Sequence, residues 1–156
     1  MKQERTNVMR LLDSYHAVFE EHTYPADSAL SGSEVAKLIG EDPNHVFKTL
    51  VTVGNSRNHY VFVIPVNREL NLKKAAKAVG EKSIEMIKSK ELLPLTGYIH
   101  GGCSPIGMKK FFTTTFDETA ILYDTVIFSA GKIGFQVEIS LDELKKAIDF
   151  SMADLI

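Results

Sequence analysis

The run Thr96-Gly97-Tyr98-Ile99-His100-Gly101-Gly102-Cys103-Ser104-Pro105-Ile106-Gly107 holds four of the chain's ten glycines, and its residue types suit one kind of chemistry. Glycine lets another group approach the main chain closely. Pro105 removes one amide donor and fixes its own φ, so the N–H groups of Gly101, Gly102, Cys103 and Ser104 can be held in a set direction. Amides aligned in this way cradle an oxyanion, a phosphate or a carbonyl. The same run also suits a tight turn between buried strands, because Gly-Gly near Pro is a general turn signal. Cys103 and His100 supply a second candidate, a thiol nucleophile with a base three residues away. Against it, the carboxylates nearest in sequence are Glu91 and Asp117, and a cysteine after Gly-Gly is more often packing.

Lys48 is the other residue whose type and setting could do chemistry. It lies in Val46-Phe47-Lys48-Thr49-Leu50-Val51-Thr52-Val53, where alternation puts it on one face with Val46 and Leu50. A lysine on such a face either snorkels to the edge or sits in a pocket with its charge engaged. Elsewhere the familiar signatures are missing: there is no G-x-S-x-G, no P-loop and no H-E-x-x-H. The five histidines show no metal-ligand spacing and a single cysteine builds no thiolate site, so no metal and no cofactor is expected.

These residues must be positioned by elements that the pattern predicts in order. Thr6 to Tyr15 reads as an amphipathic helix, Val18 to Tyr24 as a short strand closed by Pro25, and Leu30 to Gly40 as a helix. Val46 to Val53 and Tyr60 to Val66 read as an antiparallel hairpin through Gly54-Asn55-Ser56-Arg57-Asn58. Helices follow at Leu70 to Gly80 and at Ser83 to Leu93, the second ended by Pro94. After the glycine loop come strands at Phe111 to Phe116, Thr125 to Ser129 and Phe135 to Ser140, with a turn at Asp117 to Ala120 and a second glycine turn at Ala130 to Gly134. Ser140 or Asp142 caps a last helix carrying Leu141, Leu144, Ala147, Ile148 and Leu155. Mixed helix and strand with local hairpins predicts α+β.

At 156 residues the chain is expected to be one domain, residues 1–156, burying roughly 70% of its unfolded surface. Net charge is −2 but uneven. Residues 73–110 carry 8 Lys/Arg against 3 Asp/Glu, and residues 111–156 carry 3 against 8. A cationic middle ending at the glycine loop could meet a polyanion; equally, it is the solvated face of a lysine-rich helix. One cysteine, no secretion signal and no long apolar run predict a cytoplasmic protein without a membrane partner.

Val46-Phe47-Lys48-Thr49-Leu50, Leu72-Lys73-Lys74-Ala75-Ala76-Lys77-Ala78, Thr96-Gly97-Tyr98, Gly101 to Lys110 and Ser129-Ala130-Gly131-Lys132 occur here in one order and at consistent separations. From His22 to Leu144 the chain resembles the YbaK/EbsC-type aminoacyl-tRNA deacylases, stand-alone relatives of the editing domain inserted in bacterial prolyl-tRNA synthetases. The resemblance implies a single α+β domain, with a mixed, barrel-like sheet surrounded by helices. It implies a trans-editing hydrolase of translation fidelity, acting on Cys-tRNA(Pro) first and Ala-tRNA(Pro) second. The aminoacylated 3′ end of tRNA is then the partner, with a prolyl-tRNA synthetase as a further one and DNA excluded. The family's invariant lysine falls on Lys48, holding the phosphate or ribose of the acceptor end, and its Gly-x-x-x-Pro loop on Gly101 to Pro105, where Gly101 and Gly102 would position the ester carbonyl. Tyr24, Thr49, Cys103, Ser104, Pro105, Ser129, Gly131, Lys132 and Gln136 match substrate-binding positions. Two residues depart from the family: Ile133 stands where an arginine is usual, and Gln136 where an aspartate is. A glutamine offers the substrate's α-ammonium only a neutral acceptor, which implies weaker activity or another aminoacyl preference. The alternative is a non-catalytic module on the same fold that binds aminoacyl ends or docks on a synthetase.

Overall fold

The most continuously apolar and β-branched stretches pair at the centre of the molecule. β2 (Phe47–Gly54) and β3 (His59–Pro65) run antiparallel from Phe47↔Pro65 to Val53↔His59, which sets Lys48 opposite Ile64. The computed structural model describes residues 4–25 and 30–156. Among them two sheets form. The larger is mixed, in the order β4 (Ile84–Met86), β2, β3, β5 (Thr113–Asp117), β8 (Ser151–Ala153), with β5 parallel to β3. The smaller is antiparallel, β1 (Glu20–Thr23) with β7 (Phe135–Ile139) and β7 with β6 (Val126–Ser129). A bridge between Val46 and Ile127 joins them, giving the mixed sheets of an α+β fold. Phe116 sits fully buried in the core, its ring 6.2 Å from that of Phe128 and 5.1 Å from that of Phe150.

Capping residues fix the helices. Thr6 accepts the Met9 N–H at the start of α1 (Asn7–Ser14), and Ser31 and Glu34 form a capping box on α2 (Gly32–Leu38). Asn71 caps α3 (Leu72–Val79), which ends on Gly80 at φ +75°. No described helix is long and apolar enough to cross a membrane.

Two predicted helices are in fact part strand. Residues 83–93 divide into β4 (Ile84–Met86), paired with β2, and α4 (Ser89–Thr96), which keeps Pro94 inside it. The outer edge of β2 at Thr52–Gly54 would otherwise lack partners, and three residues of β4 supply them. The last helix is also short. α5 spans Leu141–Leu144, and β8 (Ser151–Ala153) then closes the edge of β5 in parallel. Leu155 is buried beyond β8, its N–H donating to the fully buried Asp117 carboxylate at 2.9 Å. The expected turn at Asp117 to Ala120 is a 3-10 helix at Glu118–Leu122, with Asp117 as its cap.

Candidate active site

A cleft of about 170 Å³ opens where the two sheets meet. Lys48 and Thr49 enter it from β2, Ser129 from β6, Gln136 from β7, and His100, Gly101 and Cys103 from the loop after α4. Ser129 and Gln136 are register partners, so one rung of the small sheet forms that wall. The sequence places these residues far apart; the meeting of the sheets unites them.

The cleft's polar groups are poorly satisfied. Lys48 makes no hydrogen bond or ion pair among the described residues, and burial pushes its ammonium below the ordinary lysine range, partly offset by the charge of Glu69. Thr49 Oγ1 and Gln136 Oε1 are the two buried side-chain polar atoms left without a partner among the described residues, and both residues line this cleft. Gln136 is only 5% exposed. A buried polar atom without a partner costs ~1–3 kcal/mol, a cost natural structures seldom carry without a ligand, water or function to answer it.

The glycine loop contributes in a narrower way than its composition suggests. Gly102 N–H donates to the Ile99 carbonyl at 3.0 Å and is therefore taken. Gly101 and Cys103 have amides with no acceptor among the described residues. Gly101 sits at φ +87°, and a Cβ added at Gly102 would lie 3.3 Å from the Ile133 nitrogen, so the loop packs closely on the 131–134 turn. Ile133 itself covers Gly101, its side chain 3.6 Å from where a Cβ would stand.

Burial pushes the Cys103 thiol up to about 12. At pH 7 roughly one molecule in 10⁵ then carries a thiolate, the form that attacks. Cys103 and His100 share the cleft but make no hydrogen bond to each other. The thiol is a wall of the cleft in its neutral form, which disfavours the Cys103–His100 nucleophile.

Other expected residues lie outside the cleft lining. Lys132 is ion-paired to Glu4 and lies 5.6 Å from the centre of the Phe135 ring, on the α1 side of the molecule. Gly131 faces Tyr98 and Val8, and its N–H donates to Ser129 Oγ at 3.1 Å. Ser104 is fully buried and accepts the Ile106 N–H; Pro105 backs onto a separate groove with Leu11 and Phe112. Tyr24 is buried, with its N–H donating to Gly134. Sequence reasoning missed the apolar lining from Leu30, Val35, Val66 and Leu92. No motif marks them, since they read as ordinary core.

Histidine spacing also concealed a cluster. His22, Glu41 and Glu138 offer ligand-type atoms within 4.8 Å of one another. The Glu138 oxygens are occupied, one by His22 Nε2 at 2.7 Å and one by the Thr125 hydroxyl at 2.6 Å. Those hydrogen bonds, with the charges of His22 and His45, hold the Glu138 carboxyl below its usual range despite burial. The group therefore reads as an ion-pair network tying β1 to β7.

Comparison with known proteins gives consistent matches. The model of the aminoacyl-tRNA editing domain matches residues 27–147. The chain is 44% identical over 154 residues to EbsC of Enterococcus faecalis, provisionally named a Cys-tRNA(Pro)/Cys-tRNA(Cys) deacylase, covering 98% of this chain and 94% of that one. It is 31% identical over 94 residues to the proline–tRNA ligase of Shouchella clausii, a match to 60% of this chain and 16% of the ligase. A crystal structure described provisionally as a trans-editing enzyme for prolyl tRNA synthetase superposes with a TM-score of 0.81 at 24% identity, over 97% of this chain and 98% of that one. The hypothetical protein APE2540 gives 0.84 at 23% identity, over 95% and 97%. At such identities the two structures speak for the fold.

Proposed function

The chain belongs to the aminoacyl-tRNA editing domain family and is an aminoacyl-tRNA deacylase, and we propose that residues 1–156 act as one trans-editing unit using the cleft between the sheets. The substrate is mischarged tRNA, Cys-tRNA(Pro) before Ala-tRNA(Pro). The observation that carries this reading is the convergence on one cleft of an ammonium and two buried polar atoms, Thr49 Oγ1 and Gln136 Oε1, that find no partner among the described residues.

Each group then has a role. Lys48 holds the phosphate or ribose of the terminal adenosine. The free amides of Gly101 and Cys103 face the ester carbonyl and receive its charge as an attacking oxygen adds. Gln136 Oε1 accepts from the α-amino group, and Thr49 Oγ1 completes its setting. With water as the attacking group, collapse of the tetrahedral intermediate breaks the bond from the carbonyl carbon to the ribose oxygen. That oxygen takes one proton of the added water and leaves as the tRNA hydroxyl, while the amino acid departs as its carboxylate and the second proton passes to solvent. No protein nucleophile is required, because an aminoacyl ester is already activated and the site need only orient it and stabilise the oxyanion. One good oxyanion donor is typically worth ~10²–10³ in rate. Prolyl-tRNA synthetase is the partner that would deliver the misacylated tRNA.

The test is deacylation across a panel of mischarged tRNAs. Cys-tRNA(Pro) should turn over fastest and Lys48→Ala should lower the activity by about tenfold or more. Turnover at the parental rate in Lys48→Ala would remove the basis of the assignment; binding without hydrolysis across the panel would favour a capture module instead.

A further inference from the structure

A second groove lies at the other end of β3, lined by Arg57, His59, Lys110, Phe111 and Phe112 among others. It combines cations with aromatic rings. Arg57 stands exposed at the hairpin tip in the left-handed region, φ +76°. Phe111 is 59% exposed, an unusual setting for a phenyl ring. Beneath it Phe112 is buried, with the His59 ring edge-on at 5.7 Å and the Lys110 ammonium 5.9 Å from its centre. Neither Arg57 nor Lys110 forms an ion pair among the described residues, and no carboxylate lines the groove. The acidic group close by, Glu81, is engaged by Ser56 and Tyr60.

We infer that this groove is an RNA-docking surface, where Arg57 and Lys110 meet backbone phosphates and Phe111 stacks on a base. The inference rests on the deacylase reading for the identity of the RNA, and it adds where the body of the tRNA is held. The two sites are linked by one segment: His100, Gly101 and Cys103 line the cleft, and Lys110 to Phe112 line the groove. Lys48 stands opposite Ile64, five residues along β3 from His59, a separation of ~17 Å at ~3.3 Å per residue. A single strand leading away from the ester covers that span in a few nucleotides. An acceptor arm with its ester in the cleft would thus bring phosphates to the groove. Cations for the backbone with an exposed ring for a base are the pairing expected of nucleic acid.

The test uses the full chain and uncharged tRNA, so it reads binding whether or not the ester is cleaved. Arg57→Asn suits the left-handed backbone while removing the charge. Combined with Lys110→Gln, it should weaken tRNA binding about tenfold and flatten the slope of log K against log salt by about 1.4, near 0.7 per phosphate contact on a single strand. Phe111→Ser should weaken tRNA binding about fivefold or more while leaving heparin, a polyanion without bases, unaffected. In deacylation, KM for mischarged tRNA should rise with kcat unchanged, and hydrolysis of an aminoacylated CCA trinucleotide should stay at the parental rate. Parental affinity and salt slope in the double variant, or equal loss of tRNA and heparin binding in Phe111→Ser, would overturn the inference. Loss of deacylation by the parent chain on every substrate would instead count against the deacylase reading.

Discussion

Replacing Lys48 by methionine separates a functional lysine from a structural one, because the two readings predict opposite stability changes. The side chain keeps its length and loses its charge. A hydrogen bond to a charged group is worth ~1.5–3 kcal/mol. At ~1.36 kcal/mol per factor of ten, losing it in the transition state lowers kcat/KM by about 10- to 150-fold. Folding should respond the other way. In the free protein the ammonium is partly desolvated with no ion-pair partner among the described residues, so methionine should leave stability unchanged or raise it. The pH dependence follows from the downward shift. The native state resists the proton that the unfolded chain takes up below 10.5, so the penalty is full below the native pKa and fades as pH rises toward 10.5. Urea denaturation from pH 7 to 11 should therefore show any advantage of Lys48→Met shrinking with pH, while deacylation at pH 7 shows the activity loss. A variant that unfolds more easily and loses activity in proportion would make Lys48 a packing residue and refute the reasoning.

Three other outcomes follow from the same geometry. Cys103→Ala should retain deacylation within about threefold, and iodoacetamide at pH 7 should label the native thiol far more slowly than the unfolded one. Because the thiol is raised from 9.0 to about 12, the stability it contributes is intact below pH 9 and drains away between pH 9 and 12, so the alkaline decline should be shallower in Cys103→Ala. Gly102→Ala crowds the backbone of the 131–134 turn and should cost ~1–3 kcal/mol in urea denaturation, with activity falling more than stability. Gln136→Met removes an unpartnered buried carbonyl and should hold or raise the melting temperature while increasing KM; a lower melting temperature with normal KM would place Gln136 in the core alone.

Part of the cleft lining was legible because it breaks local rules. A lysine in an apolar strand and a glycine cluster beside a proline both conflict with their surroundings, and both line the cleft. Gln136 lies in an alternating strand, yet both it and its neighbour Val137 are buried, because β7 is covered on both faces. Edge strands were the weak point in the fold. β4 and β8 are three residues each, too short for alternation to register, and their pairing depends on which strands lack neighbours. Gly131 and Lys132 share a motif with Ser129, but the chain turns at Gly131, φ +89°, and carries the lysine away from the cleft. The His22–Glu138–Thr125 network comes from three separated segments, and spacing along a chain cannot reveal such a meeting.

α1 never reaches the cleft, yet it braces both glycine turns. A Cβ at Gly131 would stand 3.0 Å from Val8 and 2.9 Å from the Tyr98 ring, and one at Gly107 would stand 3.1 Å from Leu11. The family match begins at residue 27, so this brace belongs to the part of the chain outside it. Changes in a helix outside the cleft lining should therefore reach the site through these turns, and a selection for altered aminoacyl preference should return changes at Val8 and Leu11 alongside those in the cleft.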